Sequence, residues 1–259
     1  MLRKLFIGIL VIVIAIILLF VLKDSYKDAL TNDNSDKNSA TTIKQEIDGT
    51  DIDGFYFDYL NNEDYEDLIL DILDRPIVFR EGLSEGDRQQ YTETIENLNN
   101  LIRENNDNLA AWYDLGSYKK ATGDIDGALE VWNFLTLARP DSFVAYHNIG
   151  ITQGFDLKNC EKAEEYLLKA IDKNSTNIDT YVQLSTIYQY TCNSLEKTKG
   201  ILELGIKNNP TNSNLNVLLG NLYLKEDDSN AALNYFEKAL ELNPENEALK
   251  QEIENLKSY

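Results

Sequence analysis

The feature that most constrains this chain is a set of positions returning every 34 or 35 residues. Small residues stand at Gly116, Gly150, Ser185 and Gly220, and again at Ala128, Ala163, Thr198 and Ala232. A third series runs Leu135, Ala170, Gly205 and Ala239. Pro140, Pro210 and Pro244 share one phase, with Ser175 in the remaining place. Large apolar pairs precede the first series: Trp112/Leu115, Tyr146/Ile149, Tyr181/Leu184 and the weaker Asn216/Leu219. Columns holding one register over four units predict an array of like supersecondary units. The small positions suit helices that cross closely, and proline ends the second helix of each unit. A single unit cannot bury its apolar face, so the stack must supply the core.

The stretches AWYDLGSYKKATGDIDGALEVWNFLTLARPD (111–141) and NLNVLLGNLYLKEDDSNAALNYFEKALELNPEN (214–246) resemble the tetratricopeptide repeat (TPR) family. They follow its W-x2-L-G, A-x3-F, A and P positions, and the two middle units diverge more. The resemblance covers 109–246 and implies an all-α fold, a TPR-like α-α superhelical solenoid of antiparallel helices A and B. Its units would be 109–142, 143–177, 178–212 and 213–246. It further implies a concave groove, lined by A helices, that binds a peptide or protein ligand. The lining positions would be Tyr113, Asp114, Ser117, His147, Asn148, Ile151, Gln183, Thr186, Asn221 and Lys225. This lining is mostly neutral, and amides can hydrogen-bond a partner's backbone with little sequence demand. Asp114, Asn148, Gln183 and Asn221 stand where chaperone-binding relatives carry a basic clamp, which argues against a chaperone-adaptor role.

The segment GDIDG (123–127) has the look of a calcium loop. A calcium loop needs spaced ligands and a closing bidentate Glu, whereas this one runs directly into an apolar helix. It reads as the A-to-B turn of the first unit, with Gly123 ending one helix and Asp124 or a neighbour capping the next. A second DIDG, at 51–54, lacks ligand residues at Gly49 and Leu60 and reads as an acidic linker turn, with weak cation binding as the alternative.

Residues Leu5–Leu22 carry no charge over 18 positions, about 27 Å of helix, enough to span a bilayer's hydrocarbon. The run exceeds a signal peptide's apolar core, and no small-x-small cleavage site follows. An uncleaved single transmembrane helix is expected, with residues 1–4 cytoplasmic because Arg3 and Lys4 precede it. The remainder would then lie outside the cytoplasm, in the periplasm or at the cell surface if the cell is bacterial. Residues 23–62, acidic and Ser/Asn/Asp-rich, would form a flexible tether. Segment 63–83 should hold a short helix, with Leu68, Ile69, Ile72 and Leu73 on one face, then an irregular stretch after Pro76. Segment 84–108 should be an unpaired B-like flanking helix, opened by Ser84 with Asp87 and presenting Tyr91, Ile95, Leu98, Leu101 and Ile102. Residues 247–259 should close the stack through Leu249, Ile253 and Leu256.

The formal net charge of −20 repels phosphate backbones and argues against nucleic-acid binding. Neither a phosphate loop nor a metal-ligand cluster is present in the sequence, so no cofactor or metal is expected. His147, the only histidine, has no cysteine beside it in sequence, which disfavours a nucleophilic enzyme. In a TPR stack, Cys160 would begin helix B of unit two and Cys192 would end helix A of unit three, facing each other. They form a disulfide in an oxidising compartment, or remain two small thiols. The sequence thus points to a membrane-anchored protein-binding scaffold, with a structural subunit of a cell-envelope complex as the alternative.

Overall fold

The structure, a computed structural model, describes residues 62–258. They lie in one compact unit. The expected anchor at Leu5–Leu22 and nearly all of the expected tether, with its DIDG copy, fall outside them. Among the described residues no helix is long and apolar enough to cross a membrane.

The described residues form α1 (Asn62–Asp74), α2 (Glu85–Glu104), α3 (Leu109–Thr122), α4 (Ile125–Ala138), α5 (Phe143–Phe155) and α6 (Cys160–Lys173). The series continues with α7 (Ile178–Tyr190), α8 (Leu195–Asn208), α9 (Ser213–Lys225), α10 (Ser229–Leu242) and α11 (Glu247–Lys257). Units 1 to 4 are the pairs α3/α4, α5/α6, α7/α8 and α9/α10; from α2 onward each helix packs on the next in an all-α solenoid, and α1 packs on α4.

The crossing points explain the small columns. A Cβ added to Gly116 would stand 2.3 Å from Trp132, and one at Gly150 would stand 2.5 Å from Leu167. At Gly220 it would meet Phe236 at 2.5 Å. Trp132, Leu167 and Phe236 are buried, as is Leu202 at the same phase in unit 3. Each B helix thus presses one large side chain onto a place where its A helix has little or none. The core is correspondingly sequential: one cluster runs from α1 to α5, a second from α6 to α9, and a third joins α9, α10 and α11.

The chain's many asparagines have a local use. Asn108, Asn159, Asn177, Asn212 and Asn246 each precede a helix and accept a hydrogen bond from the backbone N–H three residues on. Within each unit the residue before the second helix's cap is left-handed: Gly123 (φ 99°), Lys158 (φ 55°), Asn193 (φ 53°) and Asp227 (φ 60°). Only the first is glycine. Lys158→Gly should therefore stabilise the protein by roughly 0.5–1 kcal/mol, net of the added freedom of the unfolded chain. Urea unfolding would show a raised midpoint, and an unchanged or lowered one would contradict the assignment of strain.

The N-terminal helices differ from the sequence reading in one respect. Flanking helix α2 is not unpaired: Asn99 Nδ2 donates to Leu73 O at 2.9 Å and Arg103 pairs with Asp74 at 2.6 Å. Helix α1 buries Leu68, Ile69, Ile72 and Leu73, and its Tyr65 ring stacks on Phe134 of α4 at 5.5 Å. Leu101, on the expected apolar face of α2, is 46% exposed, because α1 and α3 together cover only the Ile95, Leu98 and Ile102 side.

The GDIDG turn becomes an anchor for the segment after α1. Asp124 caps α4 by accepting from Gly127 N–H at 3.0 Å. Its carboxylate also meets Arg75 at 3.3 Å and Lys119 at 3.6 Å, and Arg75 reaches Glu130 at 3.3 Å. The side chains of Lys119 and Asp124 are each only 3% exposed. Arg80 N–H closes the contact by donating to Thr122 O at 2.6 Å. One residue type thus both caps a helix and balances two cations.

Candidate protein-binding face

The A helices α5 and α7 touch each other directly, whereas B helices of neighbouring units make less contact. Polar links run between A helices along the stack. Lys120 of α3 pairs with Asp156, just past α5, at 2.8 Å. His147 of α5 meets Thr180 Oγ1 at 3.0 Å and Asp179 at 3.3 Å, both on α7. Lys225 Nζ of α9 donates to Tyr190 OH of α7 at 2.8 Å and lies 5.0 Å from the ring centre.

The expected lining residues divide into engaged and free. Tyr113 shares a hydrogen bond with Ser142, and Gln183 donates to Asp179 at 3.2 Å. The hydroxyls of Ser117 and Thr186 turn back to their own helices, donating to Tyr113 O and Val182 O. Ile151 is half-buried and packs against the second core cluster. Asp114, Asn148 and Asn221 have no side-chain partner among the described residues, and Asp114 and Asn221 are exposed. Asp179 and Tyr190, exposed on α7, join these links and are absent from the sequence-based set, as is Thr180, which is buried. Asp179 and Thr180 open the following A helix, one turn before the expected positions, which is the signal that could have found them.

Burial lowers the His147 pKa below the ordinary histidine value, with Lys120 adding to the shift and Asp179 opposing it. Below 6.5 the unfolded chain takes up this proton before the folded one does, so stability should fall as pH drops through that window. His147→Gln should flatten that part of the stability profile below about pH 6.5. Urea titrations across the range would show it, and an unchanged slope would contradict it.

At the A–B turns, Cys160 opens α6 and Cys192 follows α7, and the two are joined as a disulfide with Cα atoms 5.8 Å apart. The bond ties unit 2 to unit 3.

Residues 217–246, most of unit 4, match the sequence model of the tetratricopeptide repeat. One unit of this chain is thus a tetratricopeptide repeat. The chain's other units repeat the helix lengths of the TPR unit in α9 and α10. No curated protein matches the chain. Among solved structures, a thermophilic TPR protein of Thermus thermophilus is 20% identical, with 67% of this chain and 93% of that chain covered and a TM-score of 0.45. A structure of MamA from Desulfovibrio magneticus RS-1 (residues 41 to the end) is 22% identical, covering 71% and 95%, with a TM-score of 0.48. Another MamA structure is 23% identical, covering 62% and 96%, with a TM-score of 0.49.

Proposed function

We propose that the A-helix face of this TPR stack binds an extended segment of a partner protein, without catalysing a reaction. The observation that carries the reading is the set of unengaged side chains on it: Asn148 and Asn221 offer amides, and Asp114 a carboxylate, beside half-buried Ile151 and Val182. Amides of this kind recognise a backbone, and the apolar neighbours add contact area. Both cysteines are bonded and His147 is held by Thr180 and Asp179, so the groups best suited to nucleophilic chemistry are engaged structurally.

The scaffold is read as membrane-anchored through Leu5–Leu22, with the repeats outside the cytoplasm. The disulfide supports this side of the membrane, since such bonds persist in oxidising compartments. A second reading, a structural subunit of an envelope complex joined through the stack's edges, is supported by exposed Leu157, Tyr190 and Leu195. A photo-crosslinking residue at Asn148 in native membranes would capture the partner. Asn148→Ala with Gln183→Ala should then weaken its binding about tenfold or more. Unchanged binding would refute the A-face reading.

A further inference from the structure

Helix α2 carries two B-helix columns into a fifth place: Thr94 stands 34 positions before Ala128, and Leu101 stands 34 before Leu135. In units 1 to 4 both columns are covered. Ala128, Ala163, Thr198 and Ala232 are buried, and so are Leu135, Ala170, Gly205 and Ala239. In α2, by contrast, Thr94 is only half-buried and Leu101 is 46% exposed. Each complete unit sets an A helix before its B helix, and among the described residues none precedes α2 in that place. Helix α1 packs on α4 instead. The run 34 positions before α3 opens with Arg75–Pro76 and is tied to the first A–B turn, Arg75 to Asp124 and Arg80 N–H to Thr122 O.

A column on the A helices reports the same gap. Tyr118 is 36% exposed, whereas its counterparts Thr152, Ile187 and Leu222 are buried. The preceding A helix closes over Ile187, since a Cβ on Gly154 of α5 would stand 2.4 Å from it. Tyr118 instead meets the Tyr91 ring of α2 edge-on, with centres 6.2 Å apart, so the open sides of α2 and α3 form one surface. From Tyr91 to Leu101 it runs about 15 Å, nearly three turns of helix.

The unpaired charges bordering this surface are acidic. Glu104, one turn beyond Leu101, and Asp114, one turn before Tyr118, are exposed and have no side-chain partner among the described residues. Neighbouring cations are engaged elsewhere: Arg103 with Asp74, Lys120 with Asp156, and Arg88 with Leu83 O. An A helix set here parallel to α3 would bring its first two turns beside the two acids. The last helix of a second copy does not suit the place. Helix α11 lies on the A-helix phase, but Glu254 and Lys250 stand 34 positions after Gly220 and Asn216. Docked on α2, it would press a carboxylate where the complete units have Gly or Ser.

We propose that the open side of α2 and α3 receives an amphipathic helix of a partner protein, with Gly, Ala or Ser at its crossing point and Lys or Arg in its first turns. Such a helix completes a unit of which the described chain supplies only the B helix. The place lies at the N-terminal end of the A-helix row, and its occupant is independent of any extended segment bound along that row.

The test uses the full chain in nanodiscs and a fluorescein-labelled, end-blocked peptide copying residues 213–225 after two added lysines, read by anisotropy. Its affinity should fall at least about tenfold in the combined variant Leu101→Ser and Tyr118→Ser, which leaves the charge unchanged. Both positions are exposed, and an unchanged melting profile would confirm that the variant folds. Glu104→Gln with Asp114→Asn, two further exposed positions, should weaken binding about threefold or more, and added salt should narrow that gap. A control peptide carrying Gly220→Leu should bind at least about tenfold more weakly, because the crossing needs a small residue. Four results would overturn the proposal: no binding at about 1 mM peptide, no loss in the serine variant, no loss in the neutralised variant, or equal affinity for the leucine peptide. A loss caused instead by Asn148→Ala and Gln183→Ala would place the peptide on the A-helix face, sinking this proposal while leaving the other reading intact. A photo-crosslinking residue at Tyr118 that captures residues 1–61 or a second copy would name a different occupant and equally overturn it.

Discussion

Replacing Asp124 with alanine should destabilise the repeat domain by about 3–5 kcal/mol, more than the loss of a helix cap alone. The cap to Gly127 N–H is lost, and Lys119 is left as a charge only 3% exposed without its carboxylate. Arg75 would retain only Glu130, so the segment covering the first turn loosens too. Burial already lowers the Lys119 pKa, with Arg75 pushing the same way and Asp124 the chief opposing influence. Without Asp124 the folded-state value drops further. Folded protein then binds fewer protons than unfolded protein at pH values between the two lysine values, so stability rises with pH there. The deficit should accordingly shrink as pH climbs toward 10.5. Urea unfolding at neutral pH and again near the lysine range would show it. A loss no larger than about 1 kcal/mol, constant with pH, would mean that Asp124 is merely a cap.

Opening the disulfide should have the second largest effect. The sequence separation of the bonded cysteines is 32, and a loop of that length is worth roughly 3–4 kcal/mol in the chain-entropy account. Cys160→Ser with Cys192→Ser should lower the unfolding midpoint accordingly, and reductant should then leave the variant's midpoint unmoved. The bond spans the junction between units 2 and 3, so amide exchange in α6 and α7 should accelerate more than in α10 and α11. Wild-type protein with the same midpoint in reductant as in oxidant would contradict this.

Much of the architecture was legible because its causes are local. Close helix crossings demand small residues at fixed intervals, so Gly116, Gly150 and Gly220 announce the register before any coordinates do. Gly123 and Asp124 likewise state a helix end and a cap in two letters. What was not legible depends on distant partners. Nothing in the sequence around Asn99 says that its amide will find Leu73 O, so α2 reads as unpaired. The role of Asp124 as counter-ion was hidden for the same reason, since Arg75 lies 49 positions away. On the A-helix face, resemblance to a repeat family suggests lining positions but not which side chains spend their polar atoms on neighbours. His147 and Asn148 are adjacent in sequence, yet one is held by α7 and the other is free.

The central claim is a stack whose stability passes from unit to unit, and Phe236→Ala tests it most directly. Phe236 is 1% exposed against Gly220 and its truncation should cost about 3–5 kcal/mol. Native-state amide exchange of the variant should show protection lost most in α9 to α11, less in α7 and α8, and hardly at all in α2 to α4. Equal loss in every helix would mean one undivided core, loss confined to α10 would mean independent units, and either would contradict the account.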